Sequence, residues 1–219
     1  MYLYIILCIC FAAAFIYFEH QEKYVPAVVL KGLASLCFVL LGKSFNNDSQ
    51  TGKLIVLGLL LGCIADILLN LRFVFEKKGK IIFLVGILVF LSGHIVYLCA
   101  ILPYTKNVLL CVVAGVVLTA LLMKWIFTKI TAQKAFKIFG IVYIGAIVLF
   151  NVVAFSNMLT APSTFAYYIF CGAVFFLISD IVLILNTFGS ESKFSLRITN
   201  LSLYYIGQLL IALSIRFIK

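Results

Sequence analysis

Charge is scarce in this chain. Only 11% of its 219 residues are charged, and seven are acidic, while 65% are hydrophobic. An ordinary soluble domain carries about 25% charge. So little polar surface cannot cover so apolar a chain, which excludes a soluble globular enzyme and a disordered or low-complexity protein. Histidine is nearly absent, with two residues, and His20 falls in a loop. A zinc-dependent hydrolase, which needs about three protein ligands, is therefore poorly supported. Only three prolines occur, all near span ends, so the spans lack the clear breaks that carriers use for midplane sites. The seven cysteines, Cys8, Cys10, Cys37, Cys63, Cys99, Cys111 and Cys171, all lie in apolar runs without a histidine partner. Cys8 and Cys10 are spaced C-x-C rather than C-x-x-C, and all seven read as small hydrophobes. No metal and no cofactor is expected.

What the chain does have is long, continuous apolar runs. They exclude a β-barrel, whose strands alternate over about 10 residues. A helical crossing takes about 20 residues, so eight would use roughly 160 and leave no room for an extramembrane domain. The spans read at 2–18, 25–42, 54–71, 81–102, 107–127, 138–157, 164–186 and 200–217, with Gly189 to Arg197 as the last loop. The first run lacks a positive n-region and reads as a retained span. The expected architecture is an all-α membrane protein, a bundle of eight transmembrane helices forming a single transmembrane domain.

The net charge of +10 does not call for nucleic acid, because the positive residues sit in short loops. The side opposite the termini holds Lys23, Arg72, Lys77, Lys78, Lys80, Lys124, Lys129, Lys134, Lys137, Lys193 and Arg197. The side of the termini holds Lys43, Lys53, Lys106, Arg216 and Lys219. Positive-inside bias puts the first side in the cytosol and both termini outside the cytoplasm, in a multi-pass protein of the cell membrane.

An internal repeat is visible. Gly58 to Leu71 lies 114 residues before Gly172 to Leu185, with six of 14 positions identical, including Asp66 and Asp180. The same offset places Gly93-His94 on Gly207-Gln208. Spans 3 and 4 match spans 7 and 8, which is the pattern of a parallel 4+4 repeat.

A charged residue inside a span costs roughly 2.5–3.5 kcal/mol for Asp or Lys, so it faces the bundle interior or water. Four ionisable residues qualify: Lys31, Asp66, His94 and Asp180. Lys31 and the two aspartates lie toward the cytosolic side, and His94 nearer the middle. Asp66 and Asn70 share a helix face at i,i+4, and His94 and Tyr97 share one at i,i+3 with Phe90 a turn before. Gln208 shares a face with Tyr204 and Tyr205, and Asn151 lies mid-span with Tyr143 eight residues earlier. Gly58, Gly62, Gly86, Gly93, Gly172 and Gly207 allow close helix approach. Each has a bland alternative: Lys31 as a counter-ion, His94 with Tyr97 as an interhelical bond, and Asn70, Asn151 and Gln208 as packing glue. Two carboxylates with one lysine suggest a shared proton. Ser92 and Ser179 adjoin key residues but point about 100° away, against a serine nucleophile.

These residues carry a resemblance to the YhhN family of eight-span membrane proteins, which includes the lysoplasmalogenases. The matching pieces are Lys31, Gly62-Cys-Ile-Ala-Asp66, Gly86-x3-Phe90-x3-His94-x2-Tyr97, Gly172-Ala173-x2-Phe176-x2-Ser179-Asp180 and Tyr204-Tyr205-Ile-Gly-Gln208. Ala65 before Asp66 and Gly32 after Lys31 depart from the glycine and proline common in the family. The resemblance implies hydrolysis of the vinyl ether bond of lysoplasmalogens to a fatty aldehyde and a glycerophospho-alcohol. On that reading Asp66 and Asp180 are the acid/base pair, and His94 and Tyr97 orient water or stabilise the leaving oxygen. Lys31 holds the substrate phosphate or tunes the pair, and Asn70, Asn151, Tyr204, Tyr205 and Gln208 line the substrate site. Its partners are a lysophospholipid substrate and membrane lipids. A proton-coupled transporter of a small or lipid-like substrate is the main rival, since repeats and buried carboxylates suit a carrier. A purely structural role is the remaining one.

Overall fold

The computed structural model describes residues 1–46, 48–131 and 133–218. Asn47, between the spans read at 25–42 and 54–71, Ala132, between those at 107–127 and 138–157, and Lys219, in the charge count, lie outside the described residues. Among the described residues the chain is eight α-helices: α1 (Tyr2–His20), α2 (Tyr24–Phe45), α3 (Gln50–Val74), α4 (Gly79–Ile101), α5 (Val108–Phe127), α6 (Lys134–Thr160), α7 (Thr164–Phe188) and α8 (Phe194–Ser214). All eight are long and apolar enough to cross a membrane. The shortest has 19 residues and the longest 27, about 28 to 40 Å at 1.5 Å per residue, against a hydrocarbon core of about 30 Å. The protein is a multi-pass membrane protein of all-α class.

The helices run past the apolar segments that announce them. α6 starts at Lys134 rather than 138, and α8 starts at Phe194 rather than 200, inside the stretch expected to be loop. Hydropathy marks only the part of a helix that must avoid water. Lys134, Lys137, Ser195 and Arg197 tolerate helical backbone because a helix end reaches the polar headgroup region. Two N-termini are closed by serine: Ser49 Oγ accepts from the Gly52 amide at 3.1 Å, and Ser163 Oγ from the Ala166 amide at 3.2 Å. Each satisfies one of the orphan amides that a helix start leaves.

Contacts divide the chain into two compact units, one of residues 1–100 with 211–219 and the other of residues 101–210. In the first, α1 packs along α2 and α2 along α3, around the fully buried Phe15, Phe38, Leu41, Ile55, Leu59 and Tyr97. In the second, α6 packs on both α5 and α7, around Ile126, Ile144, Ile147, Phe150 and Phe176. A short antiparallel bridge between Ile130 and Gly189 ties the α5–α6 loop to the end of α7.

The 114-residue repeat is a repeat of packing. A Cβ on Gly93 would stand 3.3 Å from the Gly58 carbonyl oxygen and 3.8 Å from the Gly62 amide nitrogen. A Cβ on Gly207 would stand 2.9 Å from the Gly172 carbonyl oxygen and 3.2 Å from the Phe176 amide nitrogen. These are the same positions at the same offset. In each unit the later helix crosses the earlier one at a point where glycine lets backbone meet backbone.

Candidate functional site

In the first unit, three helices bring polar groups to one buried point. Lys31 on α2 and Asp66 on α3 are 4% and 2% exposed. They form an ion pair, Nζ to Oδ1, at 3.2 Å. Lys31 Nζ also donates to Asn70 Oδ1 at 3.1 Å, so the i,i+4 pair on α3 grips one ammonium from both sides. Ser35, one turn after Lys31 on α2, donates its hydroxyl to Asp66 Oδ2 at 2.6 Å. Asn70 Nδ2 donates to Glu19 Oε1 at 3.1 Å, at the end of α1. The Lys31 ammonium lies 5.4 Å from the Phe15 ring centroid, within cation–π range. The network thus runs from buried Ser35 to half-buried Glu19. It balances the buried charge of Asp66 with an ammonium and two neutral donors and acceptors, as a low-dielectric site requires.

His94 and Tyr97 on α4 belong to the same unit. His94 is buried, and its Nδ1 lies 2.9 Å from the Phe90 carbonyl oxygen. A carbonyl only accepts, so Nδ1 carries the hydrogen and the tautomer is set by the helix itself. The imidazole stacks on Phe90 at 6.0 Å and meets Tyr97 edge-on at 6.2 Å. Tyr97 in turn fills the space over Gly58, where a Cβ would run into its ring.

In the second unit, Asp180 on α7 is 4% exposed. Its Oδ2 accepts a hydrogen bond from the Tyr143 hydroxyl of α6 at 2.6 Å. Within its own unit, Asp66 thus meets an ammonium and a serine hydroxyl, and Asp180 a phenol. Asn151, two turns along α6 from Tyr143, donates to the carbonyls of Ile147 at 2.9 Å and Ala173 at 3.1 Å, stitching α6 to α7. Its Oδ1 is buried without a hydrogen bond. Asn151 also lines a pocket of about 310 Å³ with Leu118, Phe155 and Phe170. On α8, Gln208 Nε2 reaches the Tyr204 hydroxyl at 3.4 Å. Tyr204 packs edge-on against Phe176 at 5.4 Å and Tyr205 at 5.1 Å.

Three residues of these clusters escaped the sequence reading as participants: Ser35, Glu19 and Phe15. Ser35 carried a usable signal, since it stands four residues after Lys31 and shares its face. Glu19 lies between the spans read at 2–18 and 25–42, where a charged residue signals only a break. Ser179, set aside as a neighbour of Asp180, has a structural partner: Asn200 Nδ2 donates to its carbonyl at 2.9 Å and to its hydroxyl oxygen at 2.8 Å. Among the described residues no three or more His, Cys, Asp or Glu side chains are placed to hold a metal ion.

No curated protein and no solved structure matches the chain. The model of the YhhN family matches residues 23–215, a stretch that includes Lys31, Asp66, His94, Asp180 and Gln208, and the chain belongs to that family.

Proposed function

We propose that this YhhN protein is an intramembrane hydrolase that cleaves the vinyl ether bond of lysoplasmalogens. Asp66 and Asp180 supply the carboxyl groups. One carboxyl gives its proton to the β-carbon of the vinyl ether, leaving an oxocarbenium ion. The other, as carboxylate, stabilises that cation and takes a proton from the water that adds to it, as paired carboxylates do in glycoside hydrolysis. The hemiacetal then gives its hydroxyl proton to the first carboxylate while the second, now protonated, returns a proton to the leaving oxygen, releasing a fatty aldehyde and a glycerophospho-alcohol and restoring the pair. His94, with its hydrogen on Nδ1, offers Nε2 as an acceptor for water, and Tyr97 holds the imidazole edge-on. Lys31 is the counter-charge of Asp66, while Asn70, Asn151, Tyr204, Tyr205 and Gln208 shape the substrate site. The basic loops face the cytosol and both termini lie outside it, in the cell membrane.

The observation that carries this reading is the Lys31–Asp66 ion pair with its Ser35 and Asn70 bonds, buried within helices built for lipid. Charge at that depth is costly and is retained where it serves a task. The duplicated glycine crossing also suits a carrier, so the experiment must separate the two. Purified protein in detergent, with no gradient, is given a lysoplasmalogen in D2O. The hydrolase reading predicts aldehyde carrying one deuterium on the carbon next to the carbonyl. Binding without turnover would point to another lipid substrate, and proton-dependent flux in vesicles without turnover would establish the carrier.

A further inference from the structure

Tyr143 and Asp180 meet on one side of α6. The other side of α6, against α5, carries a separate feature. There the helices approach through glycines: a Cβ on Gly115 would meet Leu149 at 3.1 Å, and one on Gly145 would meet Thr119 at 3.6 Å. Along this line runs a groove of about 670 Å³, a volume typical of small-molecule sites. Its walls are apolar, with Val112, Val116 and Ala120 from α5 and Ile141 and Val142 from α6. The one hydroxyl, that of Thr119, is turned to the Gly115 carbonyl at 2.7 Å. Val116 and Val142 are exposed, so the groove opens to whatever surrounds the helices.

Charge is confined to one end. Lys124 and Phe127 close the groove there, and the Lys137 ammonium sits 5.5 Å from the Phe127 ring centroid. From Val112 to Phe127 the groove follows α5 for about 22 Å, more than the ~15 Å half-thickness of a hydrocarbon core. We propose that this groove binds one extended acyl chain of a phospholipid whose phosphate is held by Lys124 and Lys137. The apolar walls alone would suit any chain or a second copy of the protein. Two cations gathered at a single end select an anionic head. The site does not depend on the hydrolase reading, because it lies on the face of α6 turned away from Asp180.

The test is native mass spectrometry of the full chain stripped of lipid in detergent. It is titrated with a single-chain lysophosphatidic acid and with the monoacylglycerol of the same chain. At least one phosphate-bearing lipid should be retained per chain, and the neutral lipid should be lost. Lys124→Ala with Lys137→Ala should weaken retention roughly thirtyfold, and Lys124→Arg with Lys137→Arg should preserve it. Val116→Trp, or Ala120→Leu if the tryptophan does not fold, should block the chain. Equal retention of both lipids, or retention indifferent to these changes, would overturn the proposal. So would a dimer that Val116→Trp dissociates, which would assign the groove to a second copy.

Discussion

Replacing Lys31 by methionine keeps the apolar stem of the side chain and deletes its charge. The ammonium lies 3.2 Å from Asp66 Oδ1, 3.1 Å from Asn70 Oδ1 and 5.4 Å from the Phe15 ring centroid. Its loss leaves the Asp66 carboxylate, 2% exposed, without this counter-charge. Removing one partner of a buried pair costs about 3–5 kcal/mol, because the other charge stays behind uncompensated. Asp66→Asn instead takes from the ammonium the carboxylate 3.2 Å away and should cost a comparable amount. The double variant removes both charges, and replacing a whole buried pair is often close to neutral. The double variant is therefore expected within about 2 kcal/mol of wild type, where simple addition of the single losses would give roughly 6–10 kcal/mol. Reversible unfolding in mixed micelles, followed by helical circular dichroism or by the fluorescence of the chain's single tryptophan, Trp125, measures all four corners of the cycle. Additive losses would refute the reasoning, since they would mean that Lys31 and Asp66 contribute independently.

Gly207→Ala should destabilise by about 1–3 kcal/mol, because its Cβ meets the rigid Gly172 carbonyl at 2.9 Å, while Gly93→Ala, at 3.3 Å from Gly58 oxygen, should cost less. The same unfolding titration ranks them, and the reverse order would contradict the packing. Tyr143→Phe removes a 2.6 Å hydrogen bond to Asp180 and should lower the turnover number for aldehyde release while costing at most about 1.5–3 kcal/mol of stability. An unchanged rate would detach Asp180 from the chemistry. Asn200→Leu breaks both bonds from its amide to Ser179 and should cost about 2 kcal/mol, measured by unfolding, without altering turnover in the protein that remains folded.

The eight helices were legible because a bilayer crossing demands an apolar run of fixed length, and no second reading of such runs exists at this composition. Their ends were less so. Nothing in hydropathy distinguishes a helical turn in the headgroup region from a loop, which is why α8 begins six residues before the apolar segment starts. The repeat was legible in Gly58, Asp66 and Gly93 with their counterparts, since a glycine forced by backbone contact and a buried aspartate are each hard to replace. The partners across helices were not legible. A face shared at i,i+4 follows from one helix alone, so Asp66 with Asn70 could be read. That Ser35 and Glu19 complete the network depends on how α1 and α2 are rotated and at what depth they meet α3. The same holds for Tyr143, which could be placed two turns before Asn151 on α6 but not opposite Asp180.

The most direct test of the central claim is aldehyde release from a lysoplasmalogen by the purified protein in detergent, beside Asp66→Asn and Asp180→Asn. General acid–base catalysis contributes about 10²–10⁴-fold, so each folded variant should lose at least a hundredfold in rate while wild type turns over. Full activity in either folded variant would contradict the two-carboxylate mechanism, and no turnover by wild type of a lipid that demonstrably binds would contradict the substrate.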